Sequence, residues 1–109
     1  MDSRQQRVAK NEALFREVNE RIKEVNEPLA PEEPSDYLCE CGSQDCTDPM
    51  SLTRSEYEEV RKEATHFAVV PGHVVPDVEH VLVRNDRFAV VEKSSPAAAR
   101  IAVERDPRS

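Results

Sequence analysis

Three cysteines lie within eight residues of one another, at Cys39, Cys41 and Cys46. Gly42 follows the second cysteine directly and supplies the permissive backbone that a chain needs when it turns around an ion. Three thiolates at such close range repel one another unless a cation holds them, and Zn²⁺ prefers four tetrahedral sulfur or nitrogen ligands. We therefore predict a zinc site that uses all three cysteines.

The fourth ligand is predicted to be a histidine, and the chain has three. We favour His73, which follows a Pro-Gly turn, so that its ring projects from a loop fixed by the strand before it. His66 is an alternative, although it also suits the C-terminal end of a predicted helix, where a cationic imidazole is stabilised. His80 lies within a predicted strand, where a surface or hydrogen-bonded histidine is the ordinary role. An acid such as Asp45 or Asp48, or a water, is the alternative to histidine.

A site with four protein ligands is closed and structural, whereas hydrolytic zinc keeps an open position beside a general base. Glu40, between two predicted ligands, is a candidate for such a base. The sequence contains no glycine-rich phosphate loop, no Gly-x-Ser-x-Gly, no His-Glu-x-x-His and no zinc-deaminase signature. We therefore expect no enzymatic activity. A redox or metal-sensing role of the thiols of Cys39 and Cys41 is an alternative.

Length and composition indicate one small domain with a thin core. The chain has 109 residues, of which 38% are hydrophobic and 34% are charged, and it contains 2 glycines and 8 prolines. A chain of this size buries about 60–65% of its unfolded surface. A core of this size requires an additional source of stability, and we expect a bound metal ion to supply it.

The sequence also predicts the cellular compartment of the protein. Its start, Met1-Asp2-Ser3-Arg4, lacks the apolar core of a signal peptide, and no apolar run is long enough to span a bilayer. We therefore expect a cytoplasmic location, where cysteines serve as ligands rather than disulfides. The net charge of -7 weighs against a general nucleic-acid binder, which would show a basic face.

The first predicted element is an amphipathic helix from about Val8 to Glu27, within an N-terminal segment of residues 1–27. Its apolar stripe repeats at a 3-4 spacing and consists of Val8, Phe15, Val18, Ile22, Val25 and Leu29, with Asn11 as its one polar position. The stripe has two interpretations. It docks on the protein's own core, or it pairs with a second copy or a protein partner while Asn11 sets the register.

The remaining elements predict an α+β fold. Residues 28–37 form an acidic, proline-rich linker, residues 38–95 a zinc-stabilised α+β domain, and residues 96–109 a tail with a short helix. A capping box at Thr53 and Glu56 starts a second helix. His66 to Val70 forms a strand, and Val78–Arg84 with Arg87–Lys93 forms an antiparallel hairpin. One face of that hairpin is predicted to carry Val81, Val83, Phe88 and Val90.

Six segments of the sequence occur together in a combination typical of one family. They are Asn11–Ile22, the segment from Cys39-Glu40-Cys41-Gly42 to Cys46, Glu56–Arg61, Phe67–His73, Val90–Lys93 and Asp106–Arg108. In these segments the chain resembles a family of small actinobacterial proteins. The resemblance implies that the cysteines and Pro71-Gly72-His73 belong to one module, which supports His73 as the fourth ligand. It implies no activity.

The functional expectation is a zinc-stabilised protein-interaction module with a regulatory role. Its partner, or a second copy, would contact the N-terminal helix through Val8, Phe15, Val18, Ile22 and Val25. A nucleic-acid-binding zinc ribbon is the alternative, since a modest basic group follows the predicted sheet. That group consists of Arg84, Arg87, Lys93, Arg100 and Arg105.

Overall fold

The structure is a computed structural model that describes residues 3–43, 46, 48–74, 76, 79–106 and 108. Within those residues it contains three helices and five strands, the α+β fold expected from the sequence. In chain order they are α1 (Ser3–Val25), β1 (Pro34–Leu38), β2 (Pro49–Thr53), α2 (Arg54–Val60), β3 (His66–Val69), β4 (Glu79–Arg84), β5 (Ala89–Lys93) and α3 (Pro96–Glu104).

The strands form two small antiparallel sheets. The first is the hairpin β1–β2, in which Tyr37 pairs with Met50 and Leu38 with Pro49. The second has the order β3-β5-β4, so that β4 is an edge strand. The aromatic rings of Tyr37 and Tyr57 stack with their centroids 4.7 Å apart, which joins the first sheet to α2 within one core.

Short polar side chains fix the ends of several elements. The Thr53 side chain accepts a hydrogen bond from the Glu56 amide while the Glu56 carboxylate accepts one from the Thr53 amide, which confirms the capping box. Ser95 caps α3, and Pro96 is its first residue. At the β4–β5 turn, the Asn85 side chain accepts hydrogen bonds from two following amides. Short polar side chains of this kind fix a turn through their own backbone contacts.

The helix α1 is docked through polar side chains, which the sequence did not predict. Its buried positions also repeat at a 3-4 spacing, and they are Ala9, Glu12, Ala13, Arg16, Asn19 and Glu20. The predicted apolar stripe lies beside this face. Val8, Phe15, Val18 and Ile22 are half-buried, and Val25 is 77% exposed. The stripe thus borders the most deeply buried face, and Ile22 packs against the core, whereas Val25 does not contribute to the docking.

The buried polar side chains of α1 contact partners in the rest of the chain, and of their atoms Glu12 Oε1 and Arg16 Nε form no hydrogen bond. Glu12 forms an ion pair with Lys93, which also pairs with Glu79, and burial raises the pKa of the Glu12 carboxyl well above its usual range. The Arg16 guanidinium lies 4.4 Å from the centre of the Phe67 ring. It also donates hydrogen bonds to two main-chain carbonyls, at 2.5 and 2.6 Å. These contacts attach α1 to the second sheet and to α3.

Two further expectations need correction. In the β4–β5 pair a register shift lies between Val81, opposite Val91, and Val83, opposite Val90. Because consecutive strand residues point to opposite faces, this bulge separates the two valines that the sequence placed on one face. Val78, the predicted start of that strand, lies outside the described residues.

The last four residues of the predicted linker, 34–37, belong to β1, whose first residue is a proline. Proline is compatible with the first position of a strand, where no ladder hydrogen bond from its nitrogen is needed. The chain from Glu27 to Glu33 remains outside helices and strands, as expected. Among the described residues, no helix combines the length and the apolar character required to cross a membrane.

The buried polar face of α1 can be tested with two alanine substitutions. Asn19→Ala removes the donor to the Leu38 carbonyl and to Glu40, and the acceptor of the Leu38 amide. We expect it to lower the free energy of unfolding by about 2–3 kcal/mol, because buried polar partners are left unsatisfied. Leu14→Ala, on the same helix but 54% exposed, is expected to cost about 0.5 kcal/mol or less. Urea denaturation measures both. An equal or larger loss for Leu14→Ala would contradict the assigned docking face.

Candidate metal centre

The three cysteines lie on the loop of the β1–β2 hairpin. The paired strands close this loop. Leu38 and Pro49 are the last pair of β1 and β2, and beyond them the Cys39 amide donates to the Asp48 carbonyl at 3.2 Å. Within the loop, the Cys46 amide donates to the Ser43 carbonyl at 3.2 Å. The hairpin therefore returns the chain on itself and brings Cys46 back beside the cysteines that follow β1.

The histidine comes from a turn that follows β3. The His73 amide donates to the Val70 carbonyl at 2.9 Å, and Gly72 has φ +93°. Proline followed by a glycine with positive φ is typical of a type II turn. The turn is attached to the cysteine loop, because the Val70 amide donates to the Cys39 sulfur at 3.1 Å.

The four side chains meet at one point. The Sγ atoms of Cys39, Cys41 and Cys46 and a ring nitrogen of His73 all lie within 4.8 Å of one another. His73 Nδ1 is 3.6 Å from Cys39 Sγ and 3.6 Å from Cys46 Sγ. A Cys3His group with this spacing could hold a metal ion. It consists of the same four residues that the sequence predicted.

The other predicted ligands have different positions. The second ring nitrogen of His73, Nε2, lies 3.8 Å from the carboxylate of Asp48, which places Asp48 behind the histidine. At this distance the two groups form a loose ion-pair contact rather than a hydrogen bond. His66 and His80 instead face Glu92 on the second sheet. Asp45 lies outside the described residues.

The thiols influence one another strongly. Hydrogen bonding with Cys39 lowers the pKa of the Cys41 thiol to about 5 and raises that of Cys39. Burial raises the pKa of Cys46. Hydrogen bonding within the group and burial thus oppose the ionisation of all three thiols together, which a bound cation would favour.

Glu40 lies between two cysteines but faces away from them. Its Oε2 accepts hydrogen bonds from the Asn19 amide group at 2.8 Å and from the Tyr57 hydroxyl at 2.9 Å. Its Oε1 accepts one from the Ala68 amide at 3.0 Å. Burial raises the pKa of this carboxyl. These contacts use both oxygens inside the core, so Glu40 is a structural link rather than the general base considered from the sequence.

The helix α1 also supports the cysteine loop directly. The Asn11 side chain donates to the Gly42 carbonyl at 3.0 Å. Gly42 has φ +80°, and a Cβ at this position would lie 2.6 Å from the Val8 carbonyl oxygen and 2.7 Å from Glu12 Cγ. The sequence predicts Asn11 only as a residue that sets the register of a helix pair, and nothing in its spacing indicates a contact 31 positions away.

The basic group considered for nucleic-acid binding is not a free cationic surface. Lys93 is buried between Glu12 and Glu79, and Arg87 pairs with Glu56 at 2.6 Å. The Arg87 contact lowers the pKa of the Glu56 carboxyl to about 2. Arg100 also pairs with Glu104, at 3.8 Å, so ion pairing of three of the five cations removes much of the positive charge on which that alternative depended.

Comparisons with known proteins identify no relative. No family model, no curated protein and no solved structure matches the chain. The functional argument therefore depends on the residues and their geometry.

The close packing of the cysteine loop on α1 predicts different results for the two glycines. Gly42→Ala would place a methyl group against Val8 and Glu12, whereas Gly72→Ala would meet no atom within 4 Å. We expect Gly72→Ala to cost about 1–2 kcal/mol for its left-handed backbone alone. Gly42→Ala should cost more and should also weaken metal binding. Urea denaturation and native mass spectrometry measure the two effects. Equal losses would contradict the packing of the loop on α1.

Proposed function

We propose that the Cys3His cluster binds one Zn²⁺ per chain as a structural site. On this proposal the protein is a small zinc-stabilised interaction module with a regulatory rather than an enzymatic role. The observation that carries the proposal is the convergence of three sulfur atoms and one imidazole nitrogen within 4.8 Å. These groups come from two separate loops, which an ion at their centre would join.

The chemistry of the four ligands favours zinc. Thiolates are soft ligands that select zinc, copper(I) or iron–sulfur chemistry, and a tetrahedral arrangement with an imidazole suits Zn²⁺. A tetrahedral zinc about 2.3 Å from sulfur and about 2.0–2.1 Å from nitrogen separates those two atoms by about 3.5 Å. The distances of 3.6 Å from His73 Nδ1 to Cys39 Sγ and to Cys46 Sγ agree with that geometry.

The arrangement supports a structural role for the ion. Four protein ligands complete a tetrahedral shell and leave no position for a substrate or a reactive water. Cys39 and Cys41 are buried, whereas Cys46 and His73 are half-buried. The carboxylate of Glu40 is engaged inside the core, which is consistent with a site that has no adjacent base.

A structural zinc would also stabilise the thin core. The loop between β1 and β2 is long relative to the five-residue strands that close it. Metal binding to such a loop contributes directly to the free energy of folding, because the site does not exist in the unfolded chain. The bound ion would fix this loop to the turn after β3.

Removal of a ligand tests the zinc proposal. Protein purified under reducing conditions should carry one zinc per chain in native mass spectra, and Cys46→Ala and His73→Ala should lose it. We expect each variant to lose several kcal/mol of stability, since structural zinc contributes about 10 kcal/mol or more in small zinc domains. His80→Ala, a histidine outside the cluster, is the matched control and should keep the zinc and the melting temperature. The proposal would be refuted if the wild-type protein purified without metal. It would also be refuted if Cys46→Ala and His73→Ala melted at the same temperature as the zinc-loaded wild type.

The interaction role is supported by the edge strand β4. Val81, Leu82 and Val83 are 42%, 44% and 54% exposed. Leu82 and Val83 also line a groove of about 430 Å³ beside α2, together with Val60, Phe88 and Val90. An exposed apolar edge strand pairs readily with another strand.

We place a second copy of the chain at this edge. The exposed positions of β4 include no carboxylate, since Glu79 is buried, so the paired strands themselves carry no like charges, although Glu56, Glu59 and Glu63 line the groove beside them. The same strand on both copies would form a two-fold symmetric interface, the commonest arrangement among homodimers. The contact predicted from the sequence, through α1, has less apolar area to offer because four of its five side chains are half-buried.

Sedimentation over a range of concentrations tests this contact. We expect reversible dimerisation that Val83→Lys abolishes, because a lysine would be desolvated in the interface. Val25→Lys on α1, at the most exposed position of the predicted stripe, should leave dimerisation unchanged. Loss of the dimer in Val25→Lys alone would place the contact on α1 instead. A monomer at every concentration would refute self-association.

A further inference from the structure

The groove between α2 and the second sheet combines an apolar lining with acidic side chains. Its volume of about 430 Å³ lies within the range of about 300–1,000 Å³ that is typical of ligand sites. The apolar side chains come from α2, from β4 and from the chain at and just before β5. They are Val60, Leu82, Val83, Phe88 and Val90.

The shape of the groove suits a protein segment rather than a small molecule. Leu82 and Val83 are 44% and 54% exposed, so the groove is open along β4, whereas its other apolar side chains are buried. A small-molecule site encloses most of its ligand. An open apolar surface bordered by charged groups is typical of contacts with another protein chain.

The charged side chains of the groove are mainly acidic. Three glutamates, Glu56, Glu59 and Glu63, line it together with Lys62 and His66. Glu59 pairs with Lys62 at 2.8 Å, but the two side chains are 72% and 67% exposed, and a pair so exposed contributes little. Glu63 is exposed and forms no ion pair with the residues that the structure describes. Glu59 and Glu63 are therefore available to cations of a partner.

We infer that this groove binds a basic segment of a partner protein, in which apolar side chains are flanked by lysine or arginine. The apolar side chains would contact Leu82 and Val83, while the cations would pair with Glu59 and Glu63. Glu56 contributes less, because Arg87 already pairs with it. The inference rests on the interaction role proposed above and does not depend on the zinc. A second copy at the β4 edge would use main-chain groups, whereas this segment would use the side chains of the groove.

Tryptophan fluorescence tests this inference, because the chain contains no Trp. The probe is the short peptide acetyl-Lys-Leu-Trp-Leu-Lys-amide, and the control peptide has glutamate in place of both lysines. We expect saturable binding of the basic peptide, with a blue shift of its emission as the indole enters the apolar groove. The acidic peptide should bind at least about tenfold more weakly, because like charges would meet. Added salt should weaken binding of the basic peptide.

Substitutions at exposed positions locate the contact. Glu59→Gln and Glu63→Gln should each weaken the basic peptide by about two- to fivefold, as expected for one exposed ion pair. Glu17→Gln, which removes an exposed carboxylate from α1 outside the groove, is the matched control and should not change the affinity. The double substitution Glu59→Lys and Glu63→Lys should reverse the preference between the peptides. Leu82→Asn should weaken both peptides, and circular dichroism verifies that each variant is folded.

The inference would be overturned if the wild type bound neither peptide or bound both with equal affinity. It would also be overturned if amide NMR shifts on addition of the basic peptide centred on the acidic linker, residues 28–37, instead of α2 and β4. Zinc content and sedimentation of the same samples report on the Cys3His cluster and on self-association. Failure of the groove is therefore distinguishable from failure of the proposed function.

Discussion

The buried carboxylate of Glu40 links the Cys3His cluster to the rest of the fold. Its backbone is part of the cysteine loop, and its amide donates to the Ala68 carbonyl at 2.9 Å. Its side chain accepts hydrogen bonds from Asn19 on α1, from Tyr57 on α2 and from the Ala68 amide on β3. An ion held by the flanking cysteines would therefore fix the same backbone that orients these three elements.

The other buried polar side chains of α1 also require partners elsewhere in the chain. Burying carboxylates and guanidinium groups costs several kcal/mol each unless partners compensate, and replacing one member of such a pair is far more disruptive than lacking both. Here the partners are distributed over the whole chain, from Lys93 on β5 to Arg61 after α2, whose guanidinium pairs with Glu20 and Asp106. Such a network stabilises one position of α1 on the sheets, because a shift of the helix would separate the paired charges. A purely apolar face would tolerate such a shift more easily. On the proposed function, a bound metal would add a further link to this thin core.

The sequence predicted the four residues of the Cys3His cluster. It did not predict the contacts of α1, β1 and β2 that position them, and the reason is physical. Cysteine and histidine spacing constrains metal binding directly, because few other roles place three thiols and a turn histidine in one small domain. The capping residues Thr53 and Ser95 were likewise predictable from local chemistry. The docking face of α1 was not, since its residues are recognisable as buried only when their distant partners are known. The strands β1 and β2 were missed for a related reason, as five residues beginning with proline carry a weak local signal.

X-ray absorption at the zinc edge tests the central claim most directly, since it reports the atoms around the ion in the protein as purified. The account predicts three sulfur ligands at about 2.3 Å and one nitrogen ligand at about 2.0–2.1 Å. His73→Ala should replace the nitrogen contribution or lose the metal. A shell dominated by oxygen and nitrogen, or the absence of zinc from reduced protein, would contradict it. The cysteines would then need a redox explanation instead.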